Sequence, residues 1–279
     1  MSEGSSGSST YVCVVTGASR GIGQAAAAEL ARRGATVVTL GRDAGSTIRC
    51  DLSSLTSIRS AAAEISGRWP RIQLLVNNAG VQHVRRKLSA DGIEATLAIN
   101  HLAPFLLTHL LLPALRAGVP ARVVTVSSSL ARWGRIEFDD LQSARRYNGT
   151  RAYLQSKLAN IMFTASLAER LAGTGVTAVC VYPGLVATDL LRERWWWAAR
   201  WLRPLWRALF LSPNDAGRAV ADSATATLPS EGYCLTLGGR PVRTPRRSGR
   251  KSAWPTSSAL TEGICMYRSR GEAPPPGAR

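Results

Sequence analysis

The sequence has only three histidines and five cysteines in 279 residues, and neither type is spaced for a shared structural role. The cysteines are odd in number and scattered, and none forms a Cys-x-x-Cys pair or lies at metal-ligand spacing from a histidine. Disulfide-stabilised scaffolds and zinc sites both need such spacing. We therefore expect no metal site and no disulfide framework, and we interpret the cysteines as idle thiols in a reducing compartment.

Long uninterrupted apolar runs are also lacking. The run 105–115 is too short to span a bilayer, and the tryptophan-rich run 195–211 is interrupted by three arginines. The opening MSEGSSGSST, residues 1–10, has neither the basic region nor the apolar stretch of a signal peptide, and we expect it to be disordered. The expectation is a cytoplasmic protein whose only membrane contact would be peripheral.

Acidic residues are scarce. The sequence has 18 Asp and Glu but 35 Lys and Arg, which gives a formal net charge of +17. Residues 240–279 alone carry nine basic and two acidic residues, or +7, in a stretch rich in Pro, Arg and Ser. No nucleic-acid-binding motif accompanies this charge. We therefore expect no specific nucleic-acid partner, and a mostly disordered basic tail over 240–279.

Short apolar strands and amphipathic helices alternate along residues 11–239. The strand-like runs are YVCVVTG (11–17), ATVVTLG (35–41), TIRC (47–50), IQLLVNN (72–78), ARVVTVSS (121–128), VTAVCVYPG (176–184) and YCLTLGG (233–239). Helical patterns lie at 21–33, 53–67 behind a Ser53 cap, 92–117, 150–173 and 213–227. The alternation predicts one α/β domain, a Rossmann-like doubly wound parallel sheet of about seven strands with helices on both faces, in three α/β/α layers.

One connection is too short for this plan. About six residues join the second strand to the third, whereas a parallel crossover usually takes a dozen or more and contains a helix. We expect that crossover helix to be missing and replaced by an extended return.

The stretch TGASRGIG (16–23) follows the first strand and begins the first helix, where a phosphate-binding turn belongs. Gly17 would allow the turn, Gly21 would let the backbone approach a pyrophosphate, and Gly23 would let helix and strand pack closely. A glycine triplet alone also fits an ordinary strand-to-helix turn. The pattern predicts dinucleotide binding only together with other features.

The end of the second strand indicates which dinucleotide. An acidic residue usually binds the adenosine ribose of NAD there, but this sequence has Gly41 followed by Arg42. A guanidinium favours a 2′-phosphate, and Arg20 within the glycine turn would supply a second positive charge. NADP(H) is the preferred cofactor on this interpretation. Asp43 leaves NAD(H) as the alternative, and both arginines could instead be solvated surface residues.

The stretch YLQSK (153–157) places a phenol and an ammonium four residues apart. In a helix this spacing puts Tyr153 and Lys157 on one face, about 6 Å apart along the axis. The two side chains can therefore act on one site.

These motifs, with Asp51-Leu52, NNAG (77–80), NHLAPFLLT (100–108) and PGLVATD (183–189), resemble the classical short-chain dehydrogenase/reductases, in particular their retinol dehydrogenase-like branch. The resemblance covers about residues 11–239. It implies the catalytic set Asn100, Ser128, Tyr153 and Lys157. Tyr153 would be the general acid and base, tuned by Lys157 because a neighbouring ammonium favours the phenolate. Ser128 would hold the substrate oxygen, and Asn100 would join Lys157 to a proton path. Ser127 and Ser129 are neighbours of Ser128, but strand alternation should turn them the other way.

The same resemblance implies a cofactor cleft. Its members would be the glycine turn, the strand ends that flank adenine, the loop after the fourth strand, and the turn past the nicotinamide. They are Gly17, Ser19, Arg20, Gly21, Ile22, Gly23, Arg42, Asp51, Leu52, Asn78, Ala79, Gly80, Tyr153, Lys157, Pro183, Gly184, Val186 and Thr188.

A tryptophan-rich segment, RERWWWAARWLRPLWRALFL (192–211), lies where the family places its substrate lid, which we assign to 190–211. It favours an apolar carbonyl or alcohol substrate, such as a retinoid, a steroid or a long-chain aldehyde. A second interpretation is an interfacial helix on a membrane surface, and a third is simple packing against the domain.

Two function hypotheses follow. The first is an NADP(H)-dependent oxidoreductase that moves a hydride between nicotinamide and a carbonyl/alcohol pair. The second is a non-catalytic, cofactor-binding or membrane-associated scaffold that retains the fold but would not need the four catalytic residues. The family's habit of pairing its long helices further suggests a homodimer or homotetramer.

Overall fold

The computed structural model describes residues 11–183, 212–226, 233–236 and 241–243. The chain divides into two units, Met1–Thr244 and Pro245–Arg279, and the second lies wholly outside the described residues. The predicted disordered start 1–10 and the predicted lid 190–211 also lie outside them.

In the described residues of the first unit, eight strands form one sheet. They are β1 Val12–Thr16, β2 Thr36–Gly41, β3 Ile48–Arg49, β4 Leu74–Asn77, β5 Ala121–Val126, β6 Val176–Tyr182, β7 Tyr233–Thr236 and β8 Pro241–Arg243. Their order is β3-β2-β1-β4-β5-β6-β7-β8, and every neighbouring pair is parallel except the antiparallel pair β7–β8. The predicted doubly wound parallel sheet is confirmed.

The last strand corrects the predicted domain boundary. Residues 241–243 were expected in a disordered tail that began at 240, but they pair with β7 along the sheet edge. The ordered sheet therefore continues past 239 to Arg243, because backbone pairing with an existing strand needs no apolar periodicity.

Helices cover both faces of the sheet. They are α1 Gly21–Arg32, α2 Leu55–Arg68, α3 Ala95–Leu97, α4 Ala103–Ala117, α5 Gly149–Arg170 and α6 Pro213–Asp222. Buried residues of α2, α4 and α5 form one core cluster with the sheet, and those of α1 and α6 form the other. β1 is buried at all five positions because both of its faces are covered. The predicted three layers are confirmed.

The return from β2 to β3 contains no helix in residues 42–47, as the short connection predicts. Two threonines close it: the Thr47 backbone N–H donates to Thr39 Oγ1 at 2.9 Å, and the Thr39 N–H donates to Thr47 Oγ1 at 3.1 Å. Leu40 then pairs with Ile48 in parallel register. β3 therefore pairs with β2 at the edge of the sheet without the usual crossover helix between them.

Two further details refine the helix predictions. Ser54, and not Ser53, caps α2, since its hydroxyl accepts from the Ser57 N–H at 3.2 Å while Ser53 binds Asp51. The stretch Ala95–Ala117 has a mean hydropathy of 1.5 and is long enough to cross a bilayer, but 67% of its apolar window is buried in the domain. We interpret it as a core helix.

The sheet order reverses between β1 and β4. In open α/β sheets, ligands bind outside the carboxyl ends of the strands at such a point. The fold therefore brings the ends of β1, β4 and β5, with the motifs that follow them, to one edge.

Candidate active site

The glycine turn between β1 and α1 is shaped for close backbone approach. Gly17 has φ of +67°, and a Cβ there would lie 2.9 Å from Ala79 Cα. A Cβ at Gly23 would lie 2.3 Å from the Gly17 carbonyl oxygen, so neither position can carry a side chain without movement. Gly21 has φ of +60° and open space on its Cβ side, at the N-terminus of α1. An anion approaching there would meet the unpaired N–H groups that begin the helix.

The loop after β4 is bound to this turn by side chains of Asn78 and Thr16. Asn78 Nδ2 donates to the carbonyls of Thr16 at 2.9 Å and Gly17 at 3.2 Å. Thr16 Oγ1 in turn accepts from the backbone N–H groups of Asn78 at 3.0 Å and Ala79 at 3.1 Å. The Asn78 amide is therefore engaged with the glycine turn itself. Thr16 was not among the predicted site residues, although it lies directly before Gly17 in the glycine motif.

At the end of β2 the short return places two polar side chains over Gly41. A Cβ at Gly41 would lie 2.9 Å from Ser46 Oγ and 3.7 Å from Asp43 Oδ2. Arg42 is exposed beside them. A dinucleotide ribose arriving at Gly41 would thus meet a hydroxyl, a carboxylate and a guanidinium.

The other adenine-side candidates are engaged within the domain. Asp51 Oδ1 accepts from the Ser53 N–H at 2.9 Å and from its hydroxyl at 2.8 Å. Leu52 packs against the core from a partly buried position.

Tyr153 and Ser128 lie together at the carboxyl edge, and both are half-buried. Burial raises the pKa of Tyr153 above its usual value, while a hydrogen bond with the Ser128 side chain lowers it to a smaller extent. Ser128 lies two residues after the end of β5 and caps the 3-10 helix Ser129–Trp133. Its hydroxyl accepts a hydrogen bond from the Leu130 N–H at 3.2 Å. Ser127 instead donates to the Lys157 carbonyl at 2.8 Å, so it is turned toward α5.

Lys157 lies on the same face of α5 as Tyr153, with its Nζ 5.8 Å from the tyrosine ring centroid. The side chain is buried, and its ammonium donates to the Val126 carbonyl at 3.0 Å. Burial lowers the pKa of Lys157 to about 8. A Cβ at Gly80 would lie 3.3 Å from Nζ, so the loop after β4 closes over this ammonium.

Asn100 lies in the π-helical turn Ala98–Leu102, immediately before α4, and is fully buried. Its Oδ1 accepts from the Val81 N–H at 2.7 Å, and its Nδ2 donates to the Val81 carbonyl at 2.9 Å and to Ser156 Oγ at 3.0 Å. Ser156 donates to the Tyr153 carbonyl at 2.8 Å. Asn100 therefore connects the loop after β4 to the helix that carries Tyr153 and Lys157.

The remaining predicted residues divide into two groups. Ser19, Arg20 and Ile22 lie in the glycine turn, and Pro183 is the last residue of the first described stretch, just after β6. Gly184, Val186 and Thr188, predicted beside the nicotinamide, lie outside the described residues.

Comparison with known proteins places the chain in a family. The short chain dehydrogenase family model matches residues 11–199. Human retinol dehydrogenase 12 is 46% identical over 200 residues, covering 65% of this chain and 63% of that protein. Mouse retinol dehydrogenase 12 is 43% identical over 233 residues, covering 77% and 73%. The chain thus spans somewhat less than two thirds of the human relative.

Solved structures are similar over most of the chain. A short chain dehydrogenase from Burkholderia cenocepacia J2315, in complex with NADP, has a TM-score of 0.63 and 25% identity, covering 82% of this chain and 97% of that one. An uncharacterized protein from Mycobacterium paratuberculosis has a TM-score of 0.68 and 33% identity, covering 90% and 93%. With its family-model match, glycine turn and retinol dehydrogenase relatives, this chain belongs to the short-chain dehydrogenases, close to their retinol dehydrogenase branch.

Proposed function

We propose that the chain is an NADP(H)-dependent oxidoreductase that transfers a hydride between nicotinamide and an apolar carbonyl/alcohol substrate. The observation that carries this proposal is the grouping of Ser128, Tyr153 and Lys157 at the carboxyl edge of the sheet, beside the glycine turn. A scaffold that only bound a nucleotide would not need a phenol held between a hydroxyl and an ammonium.

The three side chains supply the proton chemistry. The Ser128 hydroxyl would donate to the substrate oxygen as negative charge develops on it. In the reductive direction Tyr153 gives its proton to that oxygen, and in the oxidative direction it takes the proton back. The Lys157 ammonium stabilises the phenolate that remains after reduction. When bound, NADPH supplies the hydride to the carbonyl carbon, and NADP⁺ accepts it in the reverse reaction.

The residues present fit such a cofactor. The open side of Gly21 at the start of α1 suits a pyrophosphate, because no Cβ or neighbouring atom blocks it. Lys157 has three N–H groups, and in the described part of the chain one of them has a hydrogen-bond partner. The other two N–H groups would donate hydrogen bonds to the nicotinamide ribose hydroxyls.

NADP(H) is favoured over NAD(H) by the end of β2. Gly41 removes the carboxylate that would bind two ribose hydroxyls, and Arg42 offers a bidentate donor to a 2′-phosphate. The solved relative from Burkholderia cenocepacia holds NADP, and so does Pseudomonas aeruginosa RhlG, which has a TM-score of 0.65 and 25% identity. Asp43 near Gly41 is the feature that favours NAD(H).

An apolar substrate is supported by the relatives' names and by the surface around the site. Four large apolar side chains are exposed on two loops at this edge: Val84 at 68%, Leu88 at 55%, Trp133 at 59% and Phe138 at 44%. The loops contact each other, since Tyr147 donates to the His83 carbonyl at 3.0 Å. We call Val84, Leu88, Trp133 and Phe138 the rim surface.

Arginines interleave with the rim surface, and Arg132 stacks on the Trp133 ring at 3.9 Å. Aromatic and cationic side chains together suit an anionic membrane surface, so we include peripheral membrane contact in the proposal. Replacing Trp133 and Phe138 by serine should then reduce co-sedimentation with anionic vesicles severalfold, whereas Val119→Ser, at an exposed apolar residue in another loop, should not. Equal binding by all three proteins would contradict the membrane contact.

The direct test of the enzymatic proposal is NADPH oxidation by the purified chain, measured with a panel of apolar aldehydes and ketones that includes retinal and steroid ketones. We expect turnover with at least one substrate, and a preference for NADPH over NADH. Saturable NADPH binding without turnover of any carbonyl would favour the alternative, a cofactor-binding scaffold.

A further inference from the structure

Asn160, another buried polar residue of α5, lies one turn after Lys157. Its Nδ2 donates to the Asn100 backbone carbonyl at 2.8 Å, and its Oδ1 lies 3.1 Å from His101 Nδ1. Only 1% of Asn160 is exposed. An amide oxygen can only accept, so His101 Nδ1 must carry the hydrogen in this pair.

The sequence after Asn100 removes the usual α-helical donor to its carbonyl. In an α-helix the carbonyl of residue 100 would accept from the N–H of residue 104. Residue 104 is Pro104, which has no N–H, and the chain forms a π turn at this point. The Asn160 side chain donates to this carbonyl from a different helix.

The Asn100 carbonyl fixes the orientation of the Asn160 amide, because a carbonyl can only accept and would repel the amide oxygen after a half-turn rotation. In the observed orientation the amide oxygen faces His101 Nδ1. The imidazole is buried, and burial lowers its pKa to about 4, so it is neutral at physiological pH. Its Nδ1–H tautomer then donates to the Asn160 oxygen and holds the amide in place.

We propose that Asn160, held by His101, is a positioning residue that sets Asn100 and, through it, the Gly80–Val81 backbone over Lys157. The Asn100 side chain hydrogen-bonds both the N–H and the carbonyl of Val81. The neighbouring Gly80 lies against the Lys157 ammonium. The Asn160 side chain bonds the Asn100 carbonyl and His101, so we assign it an effect that passes through Asn100. The consequence for cofactor binding rests on the proposed function, whereas the effect on the Val81 backbone does not.

The experiment compares Asn160→Leu with a matched control, Thr164→Val. Thr164 is buried one turn further along α5, and its hydroxyl donates to the Asn160 carbonyl at 2.8 Å, within the same helix. In the full-length protein, hydrogen exchange at the Val81 amide should become about tenfold faster or more in Asn160→Leu and stay unchanged in Thr164→Val. The dissociation constant for NADPH should rise about tenfold in the first variant only.

A third readout is the pH profile of alcohol oxidation. If Lys157 is less well held, it stabilises the Tyr153 phenolate less, so the acidic limb of the profile should move to higher pH in Asn160→Leu. Unchanged Val81 exchange and NADPH affinity would overturn the proposal, and so would equal changes in Thr164→Val.

A second pair of variants serves if Asn160→Leu does not fold. His101→Leu should reproduce the faster Val81 exchange, and His101→Asn, whose amide N–H replaces Nδ1–H, should restore it. Failure of His101→Asn to restore protection would overturn the role of His101. If wild-type protein binds no NADPH, the proposed function fails, while Val81 exchange still decides the positioning role.

Discussion

The Lys157 ammonium lies 5.8 Å from the Tyr153 ring centroid, yet it donates its hydrogen bond to the Val126 carbonyl at 3.0 Å. The two groups therefore share one face of α5. Burial raises the pKa of Tyr153 and lowers that of Lys157, so both shifts oppose ionisation. Phenolate formation then depends on additional positive charge in the cleft, which a bound oxidised nicotinamide would supply.

Replacing Lys157 by methionine should separate activity from stability. The folded pKa of about 8 lies below the ordinary value of 10.5, so from about pH 8 to 10.5 the unfolded chain binds more protons and stability rises with pH. Below that window the buried charge costs about 3 kcal/mol.

We expect Lys157→Met to be at least as stable as wild type at neutral pH, to lose the rise above pH 8, and to turn over about a hundredfold more slowly or worse. Denaturant unfolding across this range, together with steady-state kinetics, measures both. A variant much less stable than wild type at neutral pH would contradict the buried-charge account.

Buried His101 should make the protein sensitive to acid. Its pKa of about 4 lies below the ordinary 6.5, so between these values the unfolded chain binds the extra proton and stability falls as pH falls. The total loss should be about 3 kcal/mol. His101→Asn removes the titration, so its unfolding free energy should decline less over this range. Parallel curves for the two proteins would show that other groups dominate.

Thr16 and Thr125 offer a matched test of the glycine-turn hydrogen bonds. Both are buried, but Thr16 Oγ1 accepts from two backbone N–H groups, whereas Thr125 Oγ1 has no partner in the described part of the chain. Thr16→Val should cost about 2 to 4 kcal/mol of unfolding free energy, and Thr125→Val should be close to neutral. Chemical denaturation gives both values. Equal losses would mean that packing alone accounts for the effect.

Arg42 and Asp43 should have opposite effects on NADPH affinity. Removal of the guanidinium in Arg42→Ala should weaken NADPH binding about tenfold to a hundredfold and leave NADH binding unchanged, because NADPH alone carries the 2′-phosphate. Removal of the carboxylate charge in Asp43→Asn should strengthen NADPH binding. Fluorescence titrations with both cofactors measure these changes, and an equal effect of Arg42→Ala on both would contradict the assignment.

Local sequence pattern predicted the strands, the glycine turn and the shared face of Tyr153 and Lys157, because each depends on residues close together in the chain. Strand β8 was missed because its order comes from pairing with β7, and Pro241 and Arg243 give no periodic signal. The α2 cap was misplaced by one residue because Ser53 and Ser54 are chemically equivalent cap candidates.

The contacts that organise the site could not be read locally. Asn160 and Asn100 are 60 positions apart, and Asn78 and Thr16 are 62 apart, so only the fold brings them together. Pro104 is the one local feature that bears on these contacts, because a proline at this position cannot donate to the Asn100 carbonyl.

The most direct test of the central claim is the turnover of Tyr153→Phe with NADPH and whichever apolar aldehyde wild type reduces best. Phenylalanine keeps the ring and removes the proton that the reaction needs. We predict that this variant still binds NADPH but reduces the aldehyde at least about a hundredfold more slowly. Turnover at the wild-type rate would show that the proton comes from another group and would contradict the account.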